Sequence, residues 1–554
     1  MFLGGAWTRN ISVERGVLQG DPSSPLLFNI CMNTFLLTLN RPEFAQLGFS
    51  WGQQNNRRSR SWLQYADDAI VISPDVKAAQ QLLSMFESWC LHTGMIINKD
   101  KCLTFGMQKR DGIYKQYKPN LSLADGQIPT VELGSSFSYL GRLFCFDNSE
   151  EETKSQLLIK LQNLLRITDQ LKIKAHTKIK ILNLYIKSLL SFELKAYNLS
   201  VTWIEQNLDS IAFKFIRKWM ELPVSANLKE LYSTPRNKCG LGWSSFKHLT
   251  EKLRLIKRNT MMKSSDSEIR QLVKETENSN INSDSLLTSH PNLRSATKKL
   301  VQSQQEDSWF HLNSLSIQGA SISMITEEID KKDIELWSKT VEKCSTTIFN
   351  FTHKALLQTL PTSANLMRWK KISDPQCQLC KLNINQTNRH VLSNCPSTSA
   401  LKRYTDRHND VLHLIVVWLQ SVISPNQKLF ADIVSSQIDS TSELFVSSRP
   451  DIAIVDANQV STLELTVCHE LNIHNSRQYK LSKYKDIANQ CTAICARKRI
   501  SNFSLVVSTL GLISSTLDFS SSLGLPPMPS SLKERLITSV LDNSFKIYCN
   551  RNTA

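Results

Sequence analysis

"WLQYADDAIVIS", residues 62 to 73, sets two adjacent carboxylates, Asp67 and Asp68, between two short apolar runs. Such runs flanking a tight polar turn read as the strands of a β-hairpin. Adjacent Asp residues there can present oxygens to one hard cation. Magnesium suits that role, because it takes one or two carboxylates together with substrate phosphates and keeps several of its waters. Taken alone, an Asp-Asp pair at a turn is more commonly only a turn, so the neighbouring sequence has to decide.

Upstream lies "GVLQGDPSSPLLFNI", residues 16 to 30, and downstream come "GMIINKDKC" at 94 to 102 and "FSYLGRLF" at 137 to 144. Between them Val76, Leu82, Leu83, Phe86 and Trp89 recur at helical spacing, so the first 146 residues read as an α+β segment. In this order the four blocks resemble the palm of a reverse transcriptase, specifically of the non-LTR retrotransposon type. The resemblance implies that Asp67 is the metal-binding carboxylate of the Y/F-A-D-D turn, with Asp68 beside it. It further implies that Gly16, Gln19 and Gly20 contact template and nucleotide, glycine letting a base pair approach the backbone. Lys101 would then serve the pyrophosphate leaving group, and Tyr139, Leu140 and Gly141 would form the primer grip.

The implied chemistry is two-metal phosphoryl transfer from deoxynucleotides on an RNA template. A centre of this kind also takes a carboxylate from an earlier strand. Only fifteen residues precede Gly16, and Glu14 is the only acid among them. The reading is therefore of an N-terminally truncated polymerase lacking its fingers and first catalytic Asp, expected to show no polymerase activity by itself.

The 554 residues leave room for about three or four domains. An excess of 66 Lys+Arg over 49 Asp+Glu, net +17, favours a polyanionic partner, although a merely soluble basic protein also fits. The N-terminal MFLGGAW has no secretory pattern. The apolar run from Val411 to Ile423 is broken by His413 and Gln420 and reads as a buried helix, so no membrane partner is expected. The expected location is intracellular and, with nucleic-acid partners, nuclear. Thirteen scattered Cys then suggest metal spacing rather than a disulfide framework.

The fold class expected is multidomain α+β. Residues 1–146 read as a partial palm and 147–262 as a Lys-rich helical thumb, whose basic faces suit backbone tracking or simply solvation. Residues 263–294 form a polar linker, 295–400 a helical linker, and 401–554 an α/β domain. Within the second linker, "CQLCKLNINQTNRHVLSNCP" has the form C-x2-C-x9-H-x4-C. Cys377, Cys380, His390 and Cys395 would close a tetrahedral structural zinc site. Lys381 and Arg389 beside them suit a nucleic-acid backbone or solvent equally. The same retrotransposons carry such a knuckle between polymerase and endonuclease, with a slightly shorter middle loop.

In "SSRPDIAIVDANQVSTLELTVCHE", 447 to 470, a turn near Ala457-Asn458 sets Asp451 opposite Glu464, with Cβ atoms about 4.5–5.5 Å apart. Ile452 and Ile454 would meet Leu463 and Leu465 on the other face. A bare carboxylate pair repels, and a divalent metal resolves the repulsion; a Pro-Asp turn with an incidental strand Glu is the plain alternative. The stretch resembles the restriction-like endonuclease of early-branching non-LTR retrotransposons: Arg449-Pro450-Asp451, then Glu464-Leu-Thr, then Lys480-x-x-Lys483-Tyr484. Thr466 stands where many nucleases of that fold have lysine, and a basic helix at 476–499 would supply Lys480 and Lys483 from one face to stabilise phosphate charge. A strand at "FSLVVSTL", 503 to 510, would follow.

Together these features resemble the protein of a non-LTR retrotransposon with restriction-like endonuclease, from the group inserting into ribosomal DNA. That implies target-primed reverse transcription: nicking of double-stranded DNA, then RNA-directed synthesis from the 3′-hydroxyl, with Mg2+ at both catalytic centres. A degenerate or domesticated remnant that only binds nucleic acid is the alternative. A basic scaffold leaves all three constellations unexplained.

Overall fold

A computed structural model describes residues 2–3, 6–7, 16–18, 20–52, 58–275, 286–290, 292–433, 438–495, 497–514 and 517–553. They divide into two compact units, Met1–Ser155 and Gln156–Ala554.

In the first unit, helix α1 (Ser24–Leu39) leads to strands β1 (Trp62–Tyr65) and β2 (Asp68–Val71), then to helix α2 (Val76–Thr93). Phe35, Trp62 and Phe86 form the core under the hairpin, with ring centroids 5.0 to 5.1 Å apart. Asp75 caps α2 by accepting from the Ala78 N–H at 2.9 Å, and Gly94 ends it at φ 72, a conformation only glycine adopts freely. Of the helical stripe read from the sequence, Leu82 is fully buried, while Phe86 and Trp89 pack partly buried on the same core. A second hairpin, β3 (Phe137–Tyr139) and β4 (Arg142–Phe144), turns through Leu140 and Gly141, both at positive φ as a type I′ turn requires.

Helix α3 (Glu151–Gln170) carries the chain from one unit to the next. The cut falls at Ser155/Gln156 rather than at 146, because the first turn of α3 is tied back by a 2.6 Å bond from the Ser136 hydroxyl to Glu152. Leu157, Leu161 and Leu165, four apart, start the core of the second unit. Helices α4 (Ser210–Trp219) and α5 (Phe246–Met262) follow. Within 263–294, Ser267–Glu275 is helical and packs on α5. Then come α6 (Leu293–Asn313), α7 (Ala320–Glu328), α8 (Lys331–Lys343), α9 (Thr346–Leu356) and the long α10 (Thr398–Val422). The Val411–Ile423 run lies mostly in α10, where Val411, Leu412, Ile415, Val416 and Leu419 are buried. Among the described residues no helix is long and apolar enough to cross a membrane.

After α10 a four-stranded sheet forms from β5 (Lys428–Ala431), β6 (Ile452–Val455), β7 (Gln459–Cys468) and β8 (Arg499–Ser508), in that order. The first three are antiparallel. β8 runs parallel to β7, with helix α11 (Ile473–Lys483) in the crossover. Helix α12 (Ser530–Cys549) packs against α10. Ile452 pairs with Leu463, the register that places Asp451 opposite Glu464. Ile454, however, faces Ser461 and not Leu465, since a step of two residues toward the turn from Ile452 on β6 is matched by a step of two residues toward the turn from Leu463 on β7. The basic helix is also shorter than 476–499. It stops at Lys483; Lys498 instead donates to the carbonyls of Asp456 and Ala457, pinning the start of β8 to the hairpin turn.

Candidate functional site

The first constellation sits on the β1–β2 hairpin. Tyr65 pairs with Asp68, leaving Ala66 and Asp67 as a two-residue turn with both carboxylates exposed. A relay braces the turn: buried Trp62 donates to Gln64 Oε1 at 2.6 Å, and Gln64 Nε2 donates to the Ala66 carbonyl at 2.5 Å. Ala66 is held at φ 49, strained for a residue with a Cβ. Tyr139 lies close enough to respond to Asp68. Burial first, and then the Asp68 charge, push its hydroxyl above the usual tyrosine range. Lys101 is exposed at the end of a short 3-10 turn, Lys99–Lys101. Gly16 and Gly20 have φ 80 and 95 with open space where a Cβ would stand. Gln19 lies outside the described residues. The exposed oxygens of Asp67 and Asp68 are hard donors that fit magnesium.

The second constellation closes on itself. The ligand atoms of Cys377, Cys380, His390 and Cys395 all lie within 4.8 Å of one another. Cys377 and Cys395 Sγ are 4.0 Å apart, and Cys380 Sγ is 3.6 Å from His390 Nε2. A tetrahedral zinc with bonds of about 2.3 Å to sulfur sets sulfurs about 3.8 Å apart, so the donor set fits zinc closely. The chain reaches this shape through a bond from the Cys377 N–H to the Ile384 carbonyl at 2.9 Å and left-handed residues at Lys381 and Asn383. Burial raises the Cys377 thiol, but the N–H groups of Cys380 and Leu379 and the thiols of Cys380 and Cys395 together outweigh it and leave it below the usual thiol range. Burial keeps His390 low, favouring the neutral imidazole a metal needs. Tyr404 of α10 supports the knuckle: its hydroxyl donates to the Val391 carbonyl at 2.8 Å and accepts from the Cys395 N–H at 3.2 Å. Lys381 and Arg389 are exposed beside it.

The third constellation gathers at the open end of β6. Asp451 Oδ2 accepts from the Leu465 N–H at 2.7 Å, and Glu464 Oε2 accepts from the Asp451 N–H at 3.3 Å, so the two carboxylates interlock across the hairpin. Glu464 is 5% exposed. Burial first, then the Asp451 charge, push its carboxyl above the usual range, against the pull of Lys480. Lys480 Nζ stands 2.5 Å from Glu464 Oε1. Lys483, one turn on, does not join it: its Nζ donates to the Tyr484 hydroxyl at 3.0 Å, and that hydroxyl donates to the Arg449 carbonyl at 3.2 Å. A largely buried pair of carboxylates with all-oxygen donors fits a hard divalent cation. Thr466 brings a buried hydroxyl to this strand rather than a cation.

Sequence reasoning missed two participants. His408 of α10 sets Nε2 3.4 Å from Asp451 Oδ1. Burial lowers its pKa, but the bond to Asp451 and that carboxylate's charge more than offset it, leaving the imidazole above its usual value. Glu328, at the end of α7, binds His474 Nδ1 at 2.8 Å and Arg477 at 2.9 Å, clamping the helix that carries Lys480. Neither has a local signal, because each comes from an element distant in sequence.

Residues 3–141, which include Asp67, Asp68 and Tyr139 to Gly141, match the family described as "Reverse transcriptase (RNA-dependent DNA polymerase)". Residues 321–401, which include the knuckle, match the family described as "zinc-binding in reverse transcriptase". The chain is 26% identical over 262 residues to the "Retrovirus-related Pol polyprotein from type-2 retrotransposable element R2DM" of Drosophila melanogaster, covering 46% of this chain and 23% of that protein. It is 27% identical over 243 residues to a type-1 element R2 polyprotein of Popillia japonica, covering 44% and 38%. A Nasonia vitripennis R2 polyprotein is 27% identical over 247 residues, covering 44% and 22%. The chain thus spans well under half the length of each of these relatives. The two matching domains, in this order, and the homology to the R2 polyproteins support an R2-type reverse transcriptase.

Proposed function

We propose that this chain serves target-primed reverse transcription, with residues 451–483 as a metal-dependent nuclease that nicks double-stranded DNA and the Asp67–Asp68 turn as part of the RNA-directed polymerase that extends the nick. The observation that carries the reading is the interlocked pair Asp451 and Glu464 with Lys480 at 2.5 Å. In nicking, a water oxygen bonds to phosphorus as the P–O3′ bond breaks, leaving a 5′-phosphate and a 3′-hydroxyl. Mg2+ held by Asp451 and Glu464 would supply charge neutralisation for this step. Lys480 adds a cation for the developing negative charge. In extension, that 3′-hydroxyl oxygen bonds to the α-phosphorus of a deoxynucleotide paired to RNA, and pyrophosphate leaves. Asp67 and Asp68 would hold Mg2+ there, and Lys101 would face the leaving group. The net charge of +17 suits both polyanionic partners, and these substrates imply a nuclear location.

The test is conversion of supercoiled plasmid to open circles in magnesium. Asp451→Ala is expected to lower it by about a hundred- to a thousandfold, as removal of an electrostatic catalytic group does, with the zinc content and circular dichroism of the protein kept. Unchanged nicking rejects the nuclease assignment. A second reading, nucleic-acid binding without polymerisation, is favoured by the acidic turn standing without a third ligand among the described residues.

A further inference from the structure

One helix touches both metal-binding constellations of the second unit. Tyr404 of α10 bonds the zinc knuckle, and His408, four residues on and therefore on the same face, reaches Asp451. Asp451 has two oxygens with different tasks. Oδ2 is taken by the Leu465 N–H at 2.7 Å, which fixes one end of the carboxylate. One bond alone leaves the group free to swing about χ2. The second anchor is His408, whose Nε2 lies 3.4 Å from Oδ1. The imidazole is itself hemmed in, with three-quarters of its side-chain surface covered, and its Nδ1 lies 3.3 Å from Asn409 Oδ1.

We propose that His408 is a positioning residue of the nuclease centre: it holds the Asp451 carboxylate in one plane, so that the remaining lone pair of Oδ1 is presented to a divalent cation shared with Glu464. This rests on the nuclease reading of Asp451 and Glu464. It assigns to α10, the helix between the knuckle and the sheet, a part in the reaction that neither the carboxylate spacing nor the basic helix discloses. An imidazole N–H can serve here where an ammonium could not. It is directional and planar, and it occupies one side of Oδ1 without displacing the cation from the other.

The test uses the full chain in an Asp67→Ala/Asp68→Ala background, so that the acidic turn of the first unit contributes no metal binding. Mn2+ is titrated against it, with free Mn2+ read by electron paramagnetic resonance, and the site of interest is the one that Asp451→Ala removes. His408→Ala is expected to weaken Mn2+ at that site by about 10- to 100-fold, the range typical of lost outer-sphere support, while His408→Gln, whose amide N–H reaches the same point, recovers most of the loss. The magnesium concentration that half-saturates nicking should shift in the same order. Wild-type Mn2+ affinity in His408→Ala overturns the proposal. Equal weakening in the Ala and Gln variants assigns His408 to packing alone and overturns it as well. If Asp451→Ala itself removes no Mn2+ site and leaves nicking unchanged, the nuclease reading is what has failed.

Discussion

Lys187 is a lysine buried in the core of the second unit. Its Nζ donates to Asn183 Oδ1 at 2.7 Å, to the Tyr232 hydroxyl at 2.9 Å and to the Ser244 carbonyl, deep in the helical part of the second unit. Burial draws it from 10.5 down to about 7, with the Asp209 charge opposing. The folded-state pKa is depressed, so between about pH 7 and about pH 10 the unfolded chain binds the extra proton. Stability from this group is complete above the unfolded pKa and is lost as pH falls to about 7. Its contribution should rise by up to about 1.4 kcal/mol per pH unit across that window. Urea unfolding near pH 7 and near pH 9, with hydrogen exchange read over residues 175–262, should show the rise in wild type and a flat profile in Lys187→Met. The same rise in Lys187→Met would assign the effect elsewhere. This lysine is invisible in sequence, where IKILNLYIKSLL reads as a helix with a solvated basic face. The π-helical turn Leu182–Ile186 just before Lys187 and the packing of Tyr232 decide otherwise.

At the scale of elements, the zinc knuckle should act as the anchor of α10. Tyr404 bonds the Val391 carbonyl and the Cys395 N–H, while Ser397 caps the helix by accepting from the Ala400 N–H at 3.3 Å. Stripping zinc leaves three thiolates or thiols and an imidazole facing one another with no bond holding them, and structural zinc sites lose their fold on that loss. Chelation is therefore expected to raise amide exchange across residues 376–396 and through the first turns of α10. Intact protection after complete zinc loss would contradict the structural role. The knuckle was legible because its four ligands lie in one short run whose spacing only a closed site explains. The 451–464 pairing was legible too, since a period-two apolar pattern about one Asn-bearing turn allows a single register. His408, Tyr404 and Glu328 were not, because a contact between a helix and a distant strand end leaves no spacing in the sequence. The end of α11 is hidden in the sequence for a related reason: basic residues continue past Lys483, yet Lys498 binds the carbonyls of the β6–β7 turn, a tertiary partner that composition cannot show.

For the whole molecule, the two acidic centres differ in how much of their chemistry this chain provides. The centre on β6 and β7 has two carboxylates, a lysine in ion contact and an imidazole, all positioned by buried structure. The turn of the first unit has Asp67 and Asp68 adjacent on one exposed tip. Among the described residues no third metal-ligating side chain brings a donor atom within 4.8 Å of both Asp67 and Asp68, the spacing at which Cys377, Cys380, His390 and Cys395 close on one another. Two-metal phosphoryl transfer needs ions about 3.5–4 Å apart clamping attacking and leaving oxygens, and carboxylates from a single turn do not by themselves bridge such a pair. The purified 554-residue chain is therefore expected to nick DNA in an Asp451-dependent way while adding no deoxynucleotide to a primer annealed to RNA. Binding of the primer–template should persist and weaken steeply with salt, as phosphate contacts by a basic surface do. Magnesium-dependent incorporation that disappears in Asp67→Asn would overturn this expectation and show that a third ligand is supplied by residues beyond those described. Incorporation unaffected by Asp67→Asn would instead point to a contaminating polymerase, so the variant decides which protein the activity belongs to.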